Sequence, residues 1–147
     1  MQNLRVLAEQ EFPHLANSRW QVTSPPDNSY NCIAWAAGEN HRRWDVDPQG
    51  FWYWPPAATR GIEFNCLVEA YLSLGYERCS SPAIEEGYEK VALFSKNGNW
   101  THAARQLSNG NWTSKLGNFI DMEHELGGLD GNNYGQIELF MKRRLDR

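Results

Sequence analysis

The chain has 147 residues, is 41% hydrophobic and 22% charged, and carries a formal net charge of −4. That length suits one domain, residues 1–147, built on a single core, and the hydrophobic content excludes a disordered chain. The acidic balance argues against a nucleic-acid binder, which would show a basic field, and no apolar run approaches the roughly 20 residues of a membrane helix.

Residues 3–12 show helical spacing of Leu4, Leu7 and Ala8, ended by Pro13. The opening MQNLRVLAEQEF contains acids and no unbroken apolar stretch, so it does not read as a secretory leader. Arg19–Ser24 is a short strand before the Pro25-Pro26 break, and residues 32–37 form a short buried helix closed by Gly38. Residues 39–61 are rich in Trp, Pro, Gly and charge and read as a structured loop. Glu63–Leu74 is an amphipathic helix, with Phe64, Leu67, Tyr71 and Leu74 at helical spacing and Gly75 beyond its end.

The second half changes character. Strands are expected over Glu89–Ser95, Trp100–Leu107, Trp112–Leu116 and Gln136–Arg143, with a short helix near residues 121–127. NGNWT occurs twice, twelve residues apart, once followed by His102 and once by Ser114. Each Asn-Gly is a strong signal for a two-residue hairpin turn. With Asn97-Gly98 and Asn109-Gly110 both central in such turns, Val91, Leu93, Trp100, His102, Ala104, Gln106, Thr113 and Lys115 share one face of the sheet. The resulting expectation is an α+β fold, with helices packed on an antiparallel β-meander of about four strands.

Candidate chemistry centres on Cys32. At the start of a predicted helix, a thiol faces unpaired N–H groups and the positive end of the dipole, which favour the thiolate. His102, on a central strand 70 residues later, is the candidate base. Asp121 is the preferred residue for orienting the imidazole, with Ser114, Asn118, Glu123 and His124 as the alternatives. Trp35, Trp54, Gln106 and Lys115 are the candidate substrate contacts. Cys66 reads as packing and Cys79 as loop. Three cysteines make no even-numbered framework and point to free thiols in the cytoplasm, with leaderless export compatible. A metal set of Cys32, His102, Asp121 and His124 lacks CxxC or HExxH spacing, so no metal and no cofactor is expected.

YNCIAWAAG, the Trp/Pro stretch ending YWPP, GYEKVALF, THAARQL, NWTSKLG, IDMEH and YGQIELFM together resemble an uncharacterised family of small bacterial domains, over roughly residues 10–143. That resemblance implies no reaction. The order Cys then His is also similar to the short papain-like cysteine peptidases of the NlpC and CHAP types, which implies a papain-like core. Where those peptidases place their third residue, only Asn118 matches in type, and Asp121 departs from the pattern. The functional expectation is a cysteine peptidase or amidase with Cys32 as nucleophile, His102 as base and Asp121 as orienting residue, acting on a peptide or other amide-containing substrate. The alternative is a non-enzymatic protein- or ligand-binding module that uses the Trp/Pro-rich stretch as its contact surface.

Overall fold

The computed structural model describes residues 4–117 and 119–145. In chain order the elements are α1 Leu4–Glu11, β1 Trp20–Ser24, α2 Cys32–Ala36, α3 Phe64–Leu72, β2 Glu77–Cys79, β3 Tyr88–Lys96, β4 Asn99–Gln106, β5 Trp112–Lys115, β6 Asp121–His124 and β7 Gln136–Arg144. Two short 3-10 turns, Pro13–Asn17 and Leu126–Leu129, complete them. The strands form one seven-stranded sheet in the order β1-β6-β5-β4-β3-β7-β2, and its pairings are antiparallel.

This corrects the expected α+β arrangement of helices on a four-strand meander. The fold is β-rich, and the helices are few and short. Three strands account for the difference. β1 joins the sheet through β6, with Trp20 opposite His124 and Val22 opposite Met122. β6 occupies the segment expected to be helical, and pairs with β5 on its other side. β2 covers the far edge of β7. Asp-Met-Glu-His has no apolar alternation, so its strand state comes from the two neighbours that bracket it rather than from local propensity.

Both faces of the sheet are buried. α2 and α3 cover one, where Ile33, Leu67 and Tyr71 meet Val91, Leu93, Ala103 and Met141. α1 and the turn after it cover the other, where Ala8, Phe12 and Leu15 meet Ala92, Phe94, Ala104, Trp112 and Met122. α1 is pinned to the edge strand by Arg5 Nη1, which donates to Trp20 O at 3.1 Å, and by Trp20 Nε1, which donates to Glu9 Oε2 at 2.9 Å.

The two NGNWT copies make different turns. Asn97 and Gly98 both have positive φ, 55° and 82°, as a two-residue type I′ turn requires. In the second copy the Leu107 and Asn111 main chains pair, Leu107 N donating to Asn111 O at 2.7 Å, which leaves a three-residue loop. Gly110 has a φ of 91°, and the Asn109 side chain instead accepts from Asn111 N at 3.0 Å.

A second irregularity lies before His102. The β3–β4 register shifts between Phe94 and Ser95, so that Ser95 faces Trp100 and Phe94 faces His102, with Thr101 as the extra residue of a bulge. These two one-residue offsets cancel between β3 and β5. Val91, Leu93, Thr113 and Lys115 therefore share a face as expected, as does Trp100 ahead of the bulge, and β4 is turned over from His102 onward. His102 points to the α1 face, away from Thr113 and Lys115.

Candidate functional site

The inversion of β4 separates the expected catalytic residues. Cys32 lies on the α2 face, buried among Ile33, Leu67 and Ala103, while His102 lies on the α1 face, in contact with Phe94 at 5.2 Å between ring centroids. The sheet stands between them, and the expected Cys32–His102 pair is not assembled. Nor does Cys32 carry an activated thiol. Burial pushes it up to about 11, although backbone N–H groups of Ala103 and Ile33 act in the opposite direction. α2 is a five-residue helix, so the dipole behind the thiol is small and desolvation prevails.

Asp121 sits on the Cys32 face but serves another partner. Its Oδ2 accepts from the Tyr30 hydroxyl at 2.5 Å, and its Oδ1 is 4.0 Å from Lys115 Nζ. Lys115 also donates to Phe119 O at 2.6 Å and stands 4.9 Å over the Tyr30 ring. All three side chains are buried. Desolvation lowers the Lys115 ammonium from its usual range, against the pull of Asp121, and burial with the Asp121 hydrogen bond raises the Tyr30 phenol.

The expected substrate contacts are also occupied. Trp35 Nε1 donates to Thr113 Oγ1 at 3.0 Å. Trp54 is buried, stacks on Trp100 at 5.6 Å and donates to Thr59 O. Gln106 donates to Pro82 O. Of the alternatives for the third residue, Asn118 lies outside the described residues, and Glu123 accepts from Asn109, Asn111 and Gln21 at the surface.

Ser114 and His124, two of the alternatives named for the partner of His102, form a polar cluster with it. Ser114 Oγ lies 3.0 Å from His102 Nε2 and 2.7 Å from His124 Nε2, and His124 Nδ1 lies 2.7 Å from Glu125 O. The carbonyl can only accept, which fixes every proton. His124 Nδ1 donates to Glu125 O, Ser114 donates to His124 Nε2, and His102 Nε2 donates to Ser114. His102 Nδ1 is left as a bare acceptor, with no partner among the described residues. The His102 ring stacks on Tyr134 at 4.1 Å with 7° between planes. Burial lowers His124 to about 4 and His102 well below its ordinary value, the neighbouring His124 adding to the latter.

A serine hydroxyl aimed at an imidazole nitrogen has the form of an activated nucleophile. Here all three side chains are fully buried, so no substrate reaches the hydroxyl, and the cluster is interior structure. The sequence did carry a signal for it. The residues that follow the two NGNWT copies are the two that meet. The residues weighed as a metal set are likewise divided, Cys32 and Asp121 on one face, His102 and His124 on the other. Among the described residues no group of three His, Cys, Asp or Glu side chains is placed to hold a metal ion.

Labelling follows from burial. Iodoacetamide at neutral pH is expected to modify the half-buried Cys79 first and to leave the buried Cys32 and Cys66 protected until denaturant is added, as read by peptide mass mapping. Rapid, selective alkylation of Cys32 in the native protein would overturn the high thiol value and return the thiol hydrolase to consideration.

One surface feature stands out from the loops. Phe51 is 77% exposed and Trp52 39%, their rings meeting edge to face at 4.8 Å and 82°. The loop that presents them is tightly bonded. Asp47 accepts from Phe51 N at 2.7 Å and Trp52 N at 3.0 Å. Arg60 donates to Trp52 O at 2.7 Å, to Asp45 O at 3.0 Å and to Asp47 Oδ1 at 3.3 Å. At the loop base Asn31 bonds both main-chain groups of the buried Trp44, at 2.6 and 3.1 Å.

Residues 21–142 match the model of a protein family described as a domain of unknown function. No curated protein and no solved structure matches the chain. Among the described residues no helix is long and apolar enough to cross a membrane.

Proposed function

The chain belongs to the DUF7689 family, and from that membership, which brings no activity with it, we propose a non-enzymatic protein-recognition module whose contact surface is the Phe51–Trp52 loop tip. The observation that supports this reading is an exposed aromatic pair on a loop already fixed by Asp47 and Arg60. Large aromatic side chains dominate interface energies, and a loop held in its bound shape loses little entropy on association. The occupant is a peptide segment or protein surface with an apolar pocket for the two rings. The cysteine hydrolase is not favoured, since its nucleophile and base lie on opposite faces of the sheet.

The test is selection of binding peptides from a displayed random library against the folded protein, followed by Phe51→Ala and Trp52→Ala. Each variant is expected to keep its stability within about 0.5 kcal/mol, as surface substitutions do, while affinity for the selected peptides falls by roughly thirtyfold or more. Peptides that bind the double variant as well as the parent protein, or a library that yields no binder, would refute the reading.

A further inference from the structure

The apolar face of α1 does not close fully on the sheet. Between α1 and the turns after β5 and before β7 lies an open cavity of about 700 Å³, within the range of small-ligand sites, roughly 300–1,000 Å³. Leu7, Ala8 and Phe12 line one side, and Leu116, Phe119 and Tyr134 the other. The Tyr134 ring is held by its stack on His102 and its contact with Phe12 at 4.9 Å. Its hydroxyl has no hydrogen-bond partner among the described residues.

The polar members of the lining include Glu11 and Asn133. Asn133 Nδ2 donates to Glu11 Oε2 at 2.9 Å and to Glu11 O at 3.1 Å, which fixes the carboxylate in place. Among the described residues Glu11 forms no ion pair, and no Lys or Arg lines the cavity. A single exposed carboxylate, held by Asn133 and without an ion pair among the described residues, therefore sits beside an apolar cavity. It repels an anionic headgroup and attracts a cationic one, and the neighbouring aromatic faces of Phe119 and Tyr134 suit a cation as well.

We propose that this cavity binds a cationic amphiphile, its alkyl or aryl group between α1 and Tyr134 and its ammonium at Glu11. The site is independent of the Phe51–Trp52 tip, whose loop packs on the opposite face of the sheet. N-phenyl-1-naphthylamine serves as the fluorescent probe, displaced at low salt by decyltrimethylammonium or by decanoate below their micelle concentrations. The folded protein is expected to bind the probe, and the ammonium to displace it at about fivefold lower concentration than the carboxylate, the scale of one exposed ion pair. Glu11→Gln is expected to remove that preference and keep probe binding. Leu7→Trp, which fills the cavity from the helix side, is expected to abolish probe binding with circular dichroism unchanged, and Phe119→Trp provides the same test from the opposite wall should the first not fold. Absence of probe binding, equal displacement by the two amphiphiles, or a preference that survives Glu11→Gln would overturn the proposal.

Discussion

Asp121→Ala is expected to destabilise the fold by about 3–5 kcal/mol, the usual cost of removing one partner from a buried ion pair. The loss leaves the Lys115 ammonium buried, with Phe119 O and the Tyr30 ring as its remaining contacts, and deprives the Tyr30 hydroxyl of its acceptor. The triple replacement Tyr30→Phe, Lys115→Met, Asp121→Leu removes every polar member and is expected to recover most of that stability, because an apolar cluster of similar volume needs no compensation. Urea denaturation of the single and triple variants gives both numbers. A cost below about 1 kcal/mol for Asp121→Ala, typical of exposed pairs, would show that the cluster is solvated rather than sealed.

The second large effect is on acid stability. The folded protein holds His102 and His124 neutral, with His124 lowered to about 4 from an ordinary value of 6.5 and His102 lowered well below that ordinary value. Between those values the unfolded chain binds more protons than the folded one, so stability falls as pH falls. The contribution is fully present above about pH 6.5 and is being lost throughout the window down to about pH 4. His124 accounts for about 2 kcal/mol between pH 7 and pH 5, and His102 acts in the same direction. The slope near pH 5 should therefore approach an uptake of two protons on unfolding, measured from urea titrations at successive pH values. The onset distinguishes this from carboxylate protonation: the folded-state values of Glu39, Glu85 and Glu123 are depressed, so their loss of stability begins only as pH falls toward the unfolded glutamate value of 4.5. Stability that stays flat from pH 7 to pH 5 would sink the assignment of two buried neutral imidazoles.

Much of the local structure was legible in the letters. The expected strands from Glu89, Trp100, Trp112 and Gln136 correspond to β3, β4, β5 and β7; Asn-Gly turns separate the first three, and the fourth follows a Gly- and Asn-rich connection. The helix expected over Glu63–Leu74 is α3, Phe64–Leu72, since its apolar residues recur at helical spacing. β6 was illegible for a physical reason. Its Asp121 and His124 are buried by pairing with other polar groups, so burial leaves no hydrophobic pattern to read. β2, Glu-Arg-Cys, carries no apolar face and exists as an edge to β7.

The expected juxtaposition of Cys32 and His102 depended on strand register. An identical pentapeptide closes a two-residue turn once and a three-residue turn the next time, and one bulge at Thr101 shifts the intervening strand. The bulge turns His102 to the opposite face and the three-residue turn restores the expected face at Thr113, so only the intervening strand is inverted. The reading of Cys32 as a thiolate weighed the helix start and left out the close packing of α2 on Ala103, which removes the water that a thiolate needs.

Strand β5 has a consequence for fidelity of pairing. Thr113, Ser114 and Lys115 each meet a different specific counterpart, an indole, two imidazoles and a carboxylate, on alternating sides. A β5 slipped one position in one direction would present the Lys115 ammonium to the imidazoles and Leu116 to the Asp121 carboxylate, and in the other direction Thr113 to the imidazoles and the Ser114 hydroxyl to that carboxylate. An all-aliphatic strand would tolerate such a slip with little discrimination; this one is keyed on both sides, so that only one alignment leaves no orphaned charge.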